Sequence, residues 1–278
     1  MSGSDRGTIL VIGGTGTTGR RVVDRLQARG GHAVRVGSRA GSPAFHWEDR
    51  ATWAPVLAGT DAVYIAYHPD LAVPGAADTV GAFARLAVRH GVRRIVLLSG
   101  RGEDEAQRAE VAVQDAGAEW TVVRCAWFNQ DFSETFLREA VIAGDMALPV
   151  DGVAEPFVDV DDIADVAVAA LTEDGHAGHV YELTGPRLLR FDEVADEIAR
   201  ASGRPVRFTP VPADAFAGEM SAAGVPHDEV ELMMYLFREV LDGRNEHLAD
   251  GVRRALGREP TDFADFARRA AAAGAWHR

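Results

Sequence analysis

A doubly wound α/β fold, built on a parallel sheet with a smaller C-terminal α/β lobe, is what this sequence predicts. Three observations carry that expectation. Short apolar, β-branched runs recur through the first half. Longer helical patterns separate them. A glycine triplet directly follows the first run. The apolar runs are nearly continuous, as expected of strands covered on both faces. They place strands over 8–12, 33–37, 62–66, 94–98 and 121–124. Helical patterns fall over 19–29, 53–57, 76–90 and 107–116, several ending at a glycine (Gly30, Gly91, Gly117) where a left-handed C-cap is wanted. Strand and helix alternating in this way read as a parallel sheet with crossovers.

The second half is less regular. A strand is expected over 157–160, leading into a helix over 161–171 with acids at its start. Another strand follows over 180–183. Then come a helix over 191–201, a strand over 206–210 and helices over 213–223, 229–241 and 263–273. The division expected is a nucleotide-binding domain over 1–150, its sheet completed by parts of 155–185, and a lobe over 186–278.

Composition narrows the functions available. The chain has 278 residues with 42 acidic and 29 basic side chains, a formal net charge of −13. Such a surface repels phosphate backbones and anionic lipid, so nucleic acid and membrane are not expected partners. A single cysteine, Cys125, rules out an internal disulfide network and fits a reducing cytoplasm. Residues 1–7 are polar with no apolar signal core, which points the same way. No His, Cys or carboxylate spacing suggests a metal site. The expected partner is a small-molecule substrate, with the chain a monomer or a homodimer.

The densest local signal is the run from Ile9 to Val22, with glycines at 13, 16 and 19 between a strand and a helix. Gly13 permits the tight turn, Gly16 lets a pyrophosphate approach the backbone, and Gly19 lets the helix press on the strand. The helix N-terminus then turns free N–H groups and a positive dipole end toward phosphate. Thr15, Thr17 and Thr18 lie in the same loop. These features define a Rossmann dinucleotide site. An NAD site closes its second strand with an acid that bonds the ribose 2′-hydroxyl. Here that stretch reads Val34-Arg35-Val36-Gly37-Ser38-Arg39, with no acid. Arg39 can hold a 2′-phosphate and stack on adenine, with Ser38 adding a hydroxyl. NADP(H) is the cofactor expected.

Further motifs carry a family resemblance. Val92 to Ser99, Trp120 to Arg124, Trp127-Phe128 with Phe132, Pro156 to Ala164 and Gly175 to Gly185, together with the glycine loop, resemble the NmrA-like group of atypical short-chain dehydrogenases. Within it the chain is most similar to the ergot-alkaloid iminium reductases of the agroclavine-synthase type. The resemblance implies NADP(H) use and a small C-terminal lobe. It implies that Ala66 and Tyr67 border the cofactor after the strand at 62–66. It places Leu98 and Ser99 near the nicotinamide ribose, and Cys125 to Phe128 beside the nicotinamide and substrate. The chain departs from the pattern where Cys125 replaces the usual proline and Asp131, rather than Asn, precedes Phe132.

Ordinary short-chain dehydrogenases pass a proton through a Tyr whose pKa is lowered by a Lys four residues on. This chain contains no lysine, and the corresponding helix offers Gln107 and Val111. Electrophiles that need little acid help, an iminium or a quinone, remain available to hydride. Ser99, Asp131 or a water are the candidates to donate or orient a proton, and Trp127, Phe128 and Phe132 to form an aromatic wall. Two readings of the whole stay open: an NADPH-dependent reductase of a small organic electrophile, in secondary metabolism, or a non-catalytic NADP(H)-sensing regulator. A redox-neutral enzyme that keeps NADP as scaffold is the weaker third.

Overall fold

The structure, a computed structural model, describes residues 7–277. Of the polar N-terminal stretch considered above, all but Gly7 lies outside them. In chain order the elements are β1 (Thr8–Ile12), α1 (Thr17–Arg29), β2 (Ala33–Gly37), α2 (Trp53–Leu57), β3 (Thr60–Ile65), α3 (Ala76–Arg89), β4 (Arg94–Gly100), α4 (Asp104–Gln114) and β5 (Glu119–Cys125). There follow α5 (Arg138–Ala143), β6 (Asp145–Leu148), β7 (Ala154–Glu155), α6 (Val160–Thr172), β8 (His179–Leu183), β9 (Leu189–Arg190) and α7 (Phe191–Ser202). The chain closes with β10 (Arg207–Pro210), α8 (Ala213–Ala222), α9 (His227–Tyr235), α10 (Gly251–Leu256) and α11 (Phe263–Ala272).

Two compact units emerge. The first comprises residues 1–125, 160–183 and 250–258; the second comprises 126–159, 184–249 and 259–278. Sequence reading carries the first domain to residue 150 and gives it nothing after 185. The structure ends its first segment at Cys125, the last residue of β5, and returns to it for α10.

In the first unit six parallel strands run in the order β2-β1-β3-β4-β5-β8. The chain passes from β1 to β2 at one edge and then back across β1 to β3, so the carboxyl ends of β1 and β3 flank the switch point where such sheets bind ligands. Strand interiors are buried on both sides: Leu10, Val63, Tyr64, Ile95 to Leu97 and Val122 to Val123 have almost no exposure. Helices α1 and α6 pack together, as do α3 and α4. Between α2, α3 and the sheet lies an aromatic nest of Phe45, Trp47, Trp53 and Phe83, their rings meeting edge to face. Helix α10 lies against β8 and α6. A side chain on Gly251 would stand 2.1 Å from the Glu182 carbonyl oxygen. Arg258, just beyond α10, pairs with Asp162 at 2.7 Å and Asp165 at 2.6 Å.

The second unit has a different core. Phe132, Phe157, Phe191 and Phe263 interlock edge to face, and the indole N–H of buried Trp276 donates to the Phe132 carbonyl at 2.7 Å. Around them run a parallel pair, β6 with β10, and an antiparallel pair, β7 with β9. The strand expected over 157–160 is reduced to a single bridge between Phe128 and Val158, because Val160 already opens α6. The helix expected over 229–241 ends as α9 at Tyr235 and continues as one wider turn over Leu236–Val240.

Candidate functional site

The glycine loop forms the cradle its spacing predicts. Gly13 leaves β1 with φ +74°, a left-handed turn that favours glycine, and its amide donates to the Gly37 carbonyl of β2. Gly16 closes the turn on the Gly13 carbonyl at 2.9 Å, and α1 starts at Thr17. The first helical bond is Arg20 to Gly16, so the amides of Thr17, Thr18 and Gly19 precede it, and no side chain caps the helix. A Cβ on Gly19 would lie 2.1 Å from the Gly13 carbonyl oxygen, which is why helix and strand can meet only there. Thr15 and Gly16 are exposed, while Thr18 is buried and its hydroxyl accepts from Tyr64 at 3.0 Å. An uncapped helix start behind an exposed glycine turn suits a pyrophosphate: its oxygens would complete the amides that the fold leaves unmet.

The end of β2 bears a cation without an acid. Ser38 is half-buried, and its carbonyl accepts from Gly41 and Phe45, fixing the loop from which Arg39 projects. Arg39 is exposed and has no ion pair or hydrogen bond among the described residues. Arg35 differs: its guanidinium donates to the Val56 and Ala58 carbonyls at 2.6 and 2.8 Å. Beyond β3, the Ala66 amide donates to Ile12 of β1, and half-buried Tyr67 packs on Trp47 with ring centres 4.9 Å apart.

Strand register builds the next feature. Ser99 of β4, Arg124 of β5 and Glu182 of β8 are direct cross-strand neighbours. Ser99 and Arg124 converge on Glu110 of α4, and Glu182 meets Arg124 from the other side. The Ser99 hydroxyl donates to Glu110 at 2.6 Å, and Arg124 donates to Glu110 through Nε at 2.9 Å and to Glu182 at 2.7 Å. Arg101, 3% exposed, approaches the other Glu182 oxygen at 3.7 Å. The hydrogen bond Arg124 donates to Glu110 raises the Arg124 pKa further above its ordinary value, against the desolvation of burial. Ser99 therefore spends its hydroxyl on this network, and Leu98 beside it is half-buried. Where a Tyr-Lys pair would stand, α4 turns Gln107 and Val111 to solvent and its acid inward.

Glu103, one residue before α4, escaped the sequence reading. It is 9% exposed, and its carboxyl lies on the end of β4, where a Cβ on Gly100 would stand 2.0 Å from one oxygen and 2.5 Å from the other. Burial, with the charges of Asp70 and Glu110, holds its pKa well above the usual carboxylate range. Asp70, in the loop after β3, is also raised by desolvation, against a hydrogen bond of 2.8 Å from the Ala72 amide. Cys125, across from Gly100 in register, is buried. Desolvation and the Glu103 charge push its thiol up, which makes it a packed thiol rather than a nucleophile.

In the second unit the loop after β5 is sorted differently from the sequence expectation. The Phe132 ring belongs to the interlocked core and has no exposure, so it packs instead of facing a substrate. Trp127 and Phe128 are half-buried, with Trp127 tilted against Phe237 at 5.4 Å. Asp131 accepts from the Thr135 hydroxyl at 3.0 Å. Gln130 donates to buried Asp159, which also receives Arg269. Among the described residues no group of His, Cys, Asp and Glu is placed to hold a metal ion, and no helix is long and apolar enough to cross a membrane.

Residues 13–174 match the family described as NAD(P)H-binding. The chain is 32% identical to an uncharacterized oxidoreductase, YesF, of Bacillus subtilis, with 96% of each chain covered. The chain belongs to this NAD(P)H-binding family. It is also 31% identical to the agroclavine dehydrogenase of Claviceps fusiformis, over 93% of this chain and 96% of that one. In fold it matches a Citrobacter triphenylmethane reductase complexed with NADP(H), at TM-score 0.76 and 21% identity over 95% and 99% of the two chains. The family is one of NAD(P)H-binding oxidoreductases, and the matched residues begin at Gly13, the first glycine of the cradle.

Proposed function

We propose that this protein is an NADPH-dependent reductase of a small, cyclic or aromatic organic electrophile. The observation that carries the reading is the pairing of an open phosphate cradle at Gly13–Gly19 with an unpaired guanidinium, Arg39, in a chain whose arginines mostly bond to carboxylates or carbonyls. Amides of the loop and of the first turn of α1 would grip the pyrophosphate. Arg39, with the Ser38 hydroxyl, would take the 2′-phosphate bidentately. Ala66, Tyr67, Leu98 and Cys125 would line the path of the cofactor along the carboxyl edge of the sheet.

The bound nicotinamide would supply hydride. The chain has no Tyr-Lys pair to polarise a carbonyl, so acceptors that are already electron-poor are favoured: an iminium, a quinone or a related compound. The relative named agroclavine dehydrogenase supports the cyclic, nitrogen-containing end of that range and a place in secondary metabolism. Half-buried Trp127 and Phe128 would offer aromatic faces to a flat or cationic substrate.

Titration with NADPH and NADH tests the reading. Wild type should prefer NADPH, and Arg39→Asp should lose about tenfold or more for NADPH while changing NADH little, the size of one charge-assisted contact. Equal loss for both would remove the 2′-phosphate role. Loss of nicotinamide absorbance with an iminium, quinone or azo panel tests the reductase. Silence across the panel with intact NADPH binding would favour an NADP(H)-sensing regulator.

A further inference from the structure

Five carboxyl side chains are buried among the described residues: Glu103, Glu110, Glu155, Asp159 and Asp162. Four have donors. Glu110 receives Ser99 and Arg124, Glu155 the Trp127 amide, Asp159 Gln130 and Arg269, and Asp162 Arg258. Glu103 alone has no protein donor or guanidinium within bonding distance, yet its oxygens are not among the fully enclosed, unpartnered side-chain atoms, which are those of Asn129, so the carboxyl sits at the margin of the buried interior. A buried carboxyl without a partner is far better tolerated neutral than charged. Glycine at position 100 leaves room for the carboxyl to lie on the end of β4, where a Cβ would displace it. That end is the carboxyl edge of a parallel sheet, where ligands of this fold bind.

We propose that Glu103, as a neutral carboxylic acid, is the proton donor for acceptors that become anionic when hydride arrives. The proposal rests on the reductase reading above. With a quinone, the C–H bond of NADPH breaks and its hydride forms an O–H bond at one carbonyl oxygen, the displaced electron pairs making the ring aromatic and leaving the other oxygen as a phenolate, while NADPH is oxidised to NADP⁺. The phenolate oxygen left behind takes the Glu103 proton, breaking the carboxyl O–H and forming the hydroquinone O–H. The resulting carboxylate recovers a proton from water. With an iminium ion, hydride forms a C–H bond and cancels the positive charge, so no proton is needed. Glu103 thus divides two substrate classes that the same cofactor serves.

The groups around Glu103 set its behaviour with pH. Asp70 from the loop after β3 and Glu110 from α4 oppose its ionisation, and Cys125 of β5 and Arg101 after β4 share the same pocket of charge. The carboxyl therefore keeps its proton above the pH at which an exposed glutamate releases it.

Two acceptors of similar size separate the cases: menadione, a neutral quinone, and N-methyl-3,4-dihydroisoquinolinium, an iminium. With saturating NADPH, Glu103→Gln should lower the ratio of kcat on menadione to kcat on the iminium by about 100-fold, the scale of one general acid. In wild type the menadione rate should fall as pH rises through the Glu103 titration, and that limb should vanish in Glu103→Gln. Glu103→Asp, an acid withdrawn by one methylene, should keep the limb at a reduced rate. Infrared titration of the wild-type protein should show a protonated carboxyl band at neutral pH that Glu103→Gln lacks, a readout that needs no turnover. An unchanged ratio in Glu103→Gln, or no such band, overturns the proposal. Wild type that oxidises NADPH with neither acceptor would instead overturn the reductase reading, with the infrared band still reporting on Glu103 separately.

Discussion

Two glutamates, seven residues apart at the start and on the inner face of α4, meet burial in opposite ways. Glu110 is 2% exposed and surrounded by donors: a serine hydroxyl and a guanidinium that also holds Glu182. Glu103 is nearly as buried and has none. Glu110 is a charge made tolerable by its partners and locked by them. Glu103 is an acid kept tolerable by its proton, and a proton can be given away. The same residue type in the same helix region is structural in one place and reactive in the other, and the presence of Arg124 decides which.

Removing that arginine is the strongest way to break the contrast. Arg124→Met should strand Glu110 as a buried unpaired charge and cost about 3–5 kcal/mol, measured by denaturant unfolding. Adding Glu110→Leu to it should recover most of the loss, since replacing both members of a buried pair by apolar groups is often close to neutral. If the single and double variants are equally unstable, Glu110 is not held by Arg124. A smaller effect is expected for Ser99→Ala, which removes one hydrogen bond to a charged acceptor and should cost about 1.5–3 kcal/mol. The Cys125 thiol, buried and pushed up beside Glu103, should resist iodoacetamide at neutral pH until the protein unfolds. Rapid labelling of native protein would show that the Cys125 thiol itself is not enclosed.

The smallest effect concerns stability against pH. The folded state holds the Glu103 proton more tightly than the unfolded chain, so Glu103 stabilises fully below the ordinary carboxyl range. That contribution is lost as pH climbs through its elevated titration. Glutamine copies the neutral acid and does not ionise. Glu103→Gln should therefore match wild type in Tm at acid pH and exceed it increasingly toward alkaline pH. A constant difference across the range would mean that Glu103 ionises normally.

The sheet and the phosphate cradle were legible in the sequence because both are local. Strands covered on two faces show unbroken apolar runs, and β1, β2 and α2 fall on the residues expected. Gly19 is forced by a contact only five or six residues back, with Gly13 and Gly14. The charged network was not legible. Its members lie 11, 14 and 58 residues apart and are joined only by strand register, which single-strand patterns do not encode. Glu103 hides for another reason: an acid just before a helix reads as dipole stabilisation, and only the Gly100 backbone beneath it shows otherwise. Phe132 was misassigned because aromatic residues that pack a core and those that face a ligand look alike in a loop. Helix α10 went unseen because six residues beginning with glycine carry too little periodicity.

That short helix bears on how the protein is made. The nucleotide-binding unit takes its last piece from residues 250–258, after most of the other unit has been synthesised. Gly251 then docks against the Glu182 backbone, and Arg258 neutralises two acids of α6. A nascent chain emerging from the ribosome cannot finish the older half of the molecule until residue 258 has been translated, so that half cannot mature before most of the other has been made.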